Sequence, residues 1–78
     1  MAAEMTVSEQ DLHNRFDFHP PGSDEIVARH ALIRGECLSL AATIVDQTPY
    51  SREQSLALTA IEEAMMWANA AIARHQTE

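Results

Sequence analysis

With 78 residues and 46% hydrophobic content, the chain is one domain near the size at which a single core only just offsets chain entropy, so self-association is the natural remedy. A formal net charge of −7 excludes DNA or RNA polymers as partners, because no basic face exists to exchange for counterions. The single cysteine, Cys37, excludes an internal disulfide, and without a charged-then-apolar leader or an apolar run of about 18 residues the chain reads as a soluble protein of a reducing cytoplasm, not a membrane protein.

Residues 1 to 7 are small and polar and are expected to fray. A turn or two of helix is expected from Ser8 to about His13, capped by Ser8 or begun earlier by a Thr6-x-x-Glu9 box. Next, NRFDFHPPG (14–22) gathers two aromatics, a double proline and a glycine, which predicts an extended loop that presents side chains.

Ser23 caps a long helix to about Asp46, with Asp24 and Glu25 well placed against its dipole. Along it Ile26, Ile33, Cys37, Leu40 and Ile44 keep a seven-residue rhythm, with Arg29 or His30 filling the vacant place. A turn at Gln47-Thr48-Pro49-Tyr50 follows. The second long helix, Ser51 to Arg74, opens with the capping box Ser51-x-x-Gln54 and contains no glycine or proline. Each long helix spans about 35 Å, so a short turn between them folds the pair into an antiparallel hairpin. On the second helix Leu58, Ile61, Met65, Ala68 and Ile72 face the hairpin partner. Leu56, Ala60, Ala64, Trp67 and Ala71 form a second apolar row, rich in alanine, that suits packing against another copy.

The chain therefore divides into an N-terminal segment, 1–13, partly flexible, and a hairpin domain for oligomerisation and ligand binding, 14–78. The fold class is all-α: an antiparallel two-helix hairpin with a short N-terminal helix and loop, assembled into a homo-oligomeric bundle.

All five cations are arginine (Arg15, Arg29, Arg34, Arg52, Arg74). Codon preference explains this, and so does a small anion held in a local pocket, since guanidinium grips phosphate bidentately and stacks on flat rings. Phe16 and Phe18 either cover the open end of the hairpin or, with Arg15 and His19 nearby, make a stacking set for a planar base. Arg34 sits mid-helix and Arg52 in a first helical turn, where backbone N–H groups and the hydroxyls of Ser51 and Ser55 favour an anion; a salt bridge to an acid is the equal alternative for Arg52.

No metal is expected, because His13, His19, His30 and His75 lack ligand spacing. Glu62 and Glu63 point about 100° apart on a helix and read as a solvated face, and Cys37 reads as a small core residue. With no nucleophile elbow and no glycine-rich phosphate loop, neither catalytic residues nor a cofactor are expected.

The NRFDFHPP loop followed by a helix, a proline-containing turn and SREQSLALTAIEEAMMWANAAIAR resembles the helical-hairpin domain of phage-encoded cyclic-nucleotide sponges, the anti-CBASS and anti-Thoeris immune-evasion proteins, over about residues 14 to 75. The resemblance implies a homohexamer that sequesters host signalling nucleotides in the cytoplasm of the infected bacterium without degrading them. It takes cyclic di- or trinucleotides, or cyclic ADP-ribose isomers, as the ligands. By position, the resemblance implies that Arg34 contacts a cyclic dinucleotide phosphate. The resemblance likewise implies that Phe16, Phe18 and His19, flanked by Asn14 and Arg15, stand where a stacking aromatic is expected and that Arg52 with Ser55 makes the phosphate-binding corner of a trinucleotide pocket, with Thr59 a further ligand-binding candidate. The chain departs from the anti-CBASS pattern in offering Phe and His in place of a Tyr in the loop, and Arg in place of Lys in the first long helix. The alternative function is a non-catalytic hairpin adaptor that uses its second apolar row to bind another protein.

Overall fold

The computed structural model describes residues 7–76. The expectations for residues 1–6, including the Thr6 cap, lie outside them. The described residues form three helices, α1 (Glu9–Phe16), α2 (Asp24–Gln47) and α3 (Arg52–Arg74), and no strand. None of the helices is long and apolar enough to cross a membrane.

Each helix begins at a serine whose hydroxyl accepts one of the amide protons that a helix start leaves unpaired. Ser8 Oγ takes the Asp11 N–H at 3.0 Å, Ser23 Oγ the Ile26 N–H at 3.2 Å, and Ser51 Oγ the Gln54 N–H at 3.1 Å. The Ser51 box closes only on that side. Gln54 is buried, and its carboxamide turns away from the Ser51 backbone to donate to the Thr48 carbonyl and hydroxyl, both at 3.1 Å. A side chain read as a helix cap thus ties the interhelical turn shut.

α1 is longer than its sequence suggests, ending at Phe16 and not near His13. The proline pair restricts His19 and leaves the residues further upstream free to be helical. Charge spacing then carries the helix on: Arg15 Nε meets Asp11 at 3.2 Å, and His13 lies between Glu9 at 3.9 Å and Asp17 at 2.9 Å, all at i, i+4. Asn14, Arg15 and Phe16 are consequently helical, and the loop begins at Asp17.

α2 and α3 run antiparallel, as three cross-links at different heights require: Thr48 with Gln54 at one end, His30 with Asn69 partway along, and Pro20 and Gly22 with Gln76 at the other. The expected α3 row is confirmed, since Leu58, Ile61, Met65, Ala68 and Ile72 are all half-buried. On α2 one member changes. Leu40 is exposed and Ala41 takes its place beside Ile26, Ile33, Cys37 and Ile44. An untwisted helix turns once in 3.6 residues, so a strict heptad drifts off the contact line within a few turns. The vacant place belongs to His30, whose Nδ1 lies 2.9 Å from Asn69 Oδ1; Arg29 is also half-buried and reaches Glu25 at 2.6 Å.

What this hairpin lacks is an interior. Among the described residues Ile26, 1% exposed, is the only hydrophobic side chain fully buried. The molecule is 16 Å thick along its shortest axis, little more than the diameter of one helix with side chains, about 10–12 Å. Two helices in a single layer bury one stripe each, and the remaining apolar surface stays uncovered.

Candidate functional site

The residues picked out by sequence fall at three heights along the hairpin. At the open end, where α2 starts and α3 finishes, stand Asn14, Arg15, Phe16, Phe18 and His19. Neither phenylalanine covers the hairpin: Phe16 is 80% and Phe18 86% exposed. That leaves both rings free to stack on something outside the chain. His19 is held, since its Nε2 lies 2.8 Å from the Asn14 carbonyl at the end of α1. A carbonyl only accepts, so the Nε2 position carries the proton and Nδ1 is the nitrogen left to face a ligand. Arg15 is engaged with Asp11, an exposed pair of the kind that exchanges readily for a better anion.

Sequence reasoning passed over a polar cleft at this end, about 340 Å³, lined by Ser8, Gln10, Asp11 and Asn14 of the N-terminal arm and by Arg74 and His75. Arg74 makes no ion pair among the described residues. Its proximity to Asn14 spans 60 positions of sequence, so no local pattern signals it. His75 is the C-cap of α3, its N–H donating to the Ala71 carbonyl at 3.2 Å.

Arg34 lies roughly 15 Å further along the hairpin, ten residues into α2. It stands at the edge of a shallow groove of about 210 Å³ formed with Cys37, Leu38 and Ala41 of α2 and with Leu58, Ile61, Glu62 and Met65 of α3. The groove is apolar apart from Arg34 and Glu62. Like Arg74, Arg34 has no ion pair among the described residues. An unpaired guanidinium over an apolar floor suits a flat ring carrying a phosphate, because low local polarity strengthens the charge-assisted bond. Glu62 on the far wall opposes an anion and limits where it can sit. Cys37, read as core, is half-buried in that floor.

The third set is at the closed end. Arg52 is the first residue of α3, with Ser55 and Thr59 following on the same face, and all three are exposed. The salt-bridge alternative for Arg52 does not hold, since it has no acidic partner among the described residues. Ser51 does not add a donor as expected: its hydroxyl donates to the Pro49 carbonyl at 3.0 Å while accepting the Gln54 N–H. The anion-favouring groups here are therefore the Arg52 guanidinium, the Ser55 and Thr59 hydroxyls and the first backbone amides of α3.

The second apolar row, Leu56, Ala60, Ala64, Trp67 and Ala71, is exposed along its length, with Trp67 at 63%. It lies on α3 away from the α2 contact. Among the described residues no group of three or more His, Cys, Asp or Glu side chains converges as a metal site.

Residues 8–73 match the family described as the Acb2/Tad1 hairpin domain. No curated protein and no solved structure matches the chain.

Proposed function

The chain belongs to the Acb2/Tad1 hairpin-domain family, the phage cyclic-nucleotide sponges, which act by binding and not as enzymes, and from this premise we propose that it captures cyclic nucleotide second messengers and holds them uncleaved. The observation that carries this reading is the separation of the three candidate sets on a hairpin 16 Å thick. The open end and the closed end lie about 35 Å apart. Sites that retain small molecules enclose most of the ligand surface, and an open groove and an open cleft on one chain do not.

Copies of the chain meeting through Leu56, Ala60, Ala64, Trp67 and Ala71 would bring the sets together, in a homohexamer. Within the working unit, 14–78, Arg34 takes a phosphate of a cyclic dinucleotide. The Phe16 and Phe18 rings and His19, with Asn14 and Arg15 beside them, close over its base from a neighbouring subunit. Arg52, Ser55 and Thr59 hold a cyclic trinucleotide elsewhere in the same assembly. Cyclic ADP-ribose isomers fit the same combination of arginine and aromatic ring. The setting is the cytoplasm of an infected bacterium, where removing the messenger silences a CBASS or Thoeris response, and the effect scales with affinity and abundance.

The test is a heat-release assay. The protein is incubated with cyclic GMP–AMP, cyclic triadenylate and a cyclic ADP-ribose isomer in turn, freed of unbound ligand and denatured, and the supernatant is analysed by mass spectrometry. Recovery of at least one ligand at its original mass is expected. Recovery of a linear or otherwise altered product would identify a hydrolase, and no recovery of any of the three would favour the protein adaptor.

A further inference from the structure

The loop that carries Phe18 and His19 is anchored by a side chain from the far end of the sequence. Pro20 and Pro21 have no amide hydrogen, so Gly22 supplies the first backbone donor after His19, and the Pro20 carbonyl is an acceptor close by. A carboxamide is the neutral side chain that offers an acceptor and a donor side by side. Gln76 meets both needs. Its Oε1 accepts the Gly22 N–H at 2.7 Å, its Nε2 donates to the Pro20 carbonyl at 2.9 Å, and the same nitrogen donates to Ala73 at 3.1 Å, which fixes the clamp to the last turn of α3.

The glycine fits this account. Gly22 has no positive φ, so its backbone conformation does not call for glycine. A Cβ at that position would stand 3.0 Å from Gln76 Oε1, and the close approach of the carboxamide is what the missing side chain permits. Among the described residues, α1 buries none of its side chains and Pro20, Pro21 and Gly22 are exposed, so little apolar packing holds the loop beside the clamp. Gln76 lies three residues beyond the segment that matches the family, 8–73.

We propose that Gln76 is a positioning residue: its carboxamide locks the Pro20–Gly22 turn onto the end of α3 and so sets the pose in which Phe18 and His19 meet a ligand. The inference rests on the reading above that this loop contacts the cyclic nucleotide. The clamp governs how long the loop stays closed over the ligand, and so acts on release more than on assembly.

The experiment compares wild type with Gln76→Ala, which removes every contact of the clamp, and Gln76→Glu, which keeps the acceptor for Gly22 and loses both donors. Two quantities are read: amide hydrogen exchange at Gly22 without ligand, and the dissociation rates of cyclic GMP–AMP, cyclic triadenylate and a cyclic ADP-ribose isomer. In Gln76→Ala, Gly22 is expected to exchange about tenfold faster and the bound nucleotide to leave about tenfold faster, the scale set by one or two lost hydrogen bonds. Gln76→Glu falls between, and thermal melting and oligomeric state stay as in wild type. Unchanged Gly22 exchange would overturn the clamp, and faster exchange with unchanged nucleotide release would overturn its positioning role. Failure of the sponge reading looks different: wild type then holds none of the three nucleotides, while Gly22 exchange still upholds or refutes the clamp.

Discussion

Trp67→Glu is expected to reduce the protein to lone chains that lose most of their helicity and no longer melt cooperatively. Trp67 is the largest side chain of an exposed row in which Ala60, Ala64 and Ala71 leave room for a close helix neighbour. A carboxylate placed there would be desolvated without a partner on assembly, a cost of several kcal/mol. Little holds the separated chain, because among the described residues Ile26 alone is a fully buried hydrophobic. Long helices in water depend on tertiary packing for most of their stability. Circular dichroism melting together with light scattering checks the expectation, with Glu36→Ala, an exposed position on α2, as a control that should change neither. A Trp67→Glu protein with wild-type mass and melting would place the contact between copies on another face.

Arg34→Ala is expected to weaken cyclic dinucleotide binding about 100-fold while leaving the hairpin intact, in keeping with the loss of a charge-assisted bidentate contact. The structure makes the substitution clean: Arg34 is exposed and has no ion pair among the described residues, so its removal strands no partner. Arg34→Lys should recover part of the loss, because an ammonium keeps the charge but not the planar fork. Arg52→Ala should spare the dinucleotide and weaken the trinucleotide. Titration calorimetry with each ligand separates the two proposed sites, and wild-type dinucleotide affinity in Arg34→Ala would remove Arg34 from the proposed dinucleotide site. In the proposed assembly, arginines from several chains would converge and repel one another while the site is empty. Bound nucleotide should therefore raise the melting temperature, by about 2.7 kcal/mol of added stability at a hundredfold excess over Kd.

Much of the backbone was legible because its signals are local. Ser23 and Ser51 mark the helix starts, Pro49 enforces the break between them, and the Leu58 to Ile72 row faces α2 as its spacing predicts. The aromatic and proline content of 14–22 masks the end of α1, although the i, i+4 pairs Asp11–Arg15 and His13–Asp17 that extend it lie in the sequence. Leu40 fits a strict seven-residue rhythm, whereas the 3.6-residue repeat of an untwisted helix brings Ala41 to the contact line.

The site was less legible, because its geometry depends on contacts between distant positions. His19 is set by Asn14 five residues earlier, but the loop by Gln76 from more than fifty residues away, and the Arg74 cleft joins both ends of the chain. Gln54 and Gln76 are the same residue type, near opposite ends of α3, and each closes a turn with its carboxamide. Composition does not distinguish such a glutamine from one in solvent.

Sedimentation velocity in the presence of cyclic nucleotide tests most directly whether several chains must meet before a pocket exists. The chain has one Trp and one Tyr, so absorbance in the nucleobase band reports chiefly the ligand. The account predicts that this absorbance moves with a particle several times the 8.7 kDa mass of the chain. Nucleotide travelling tightly bound to a particle of single-chain mass would contradict it.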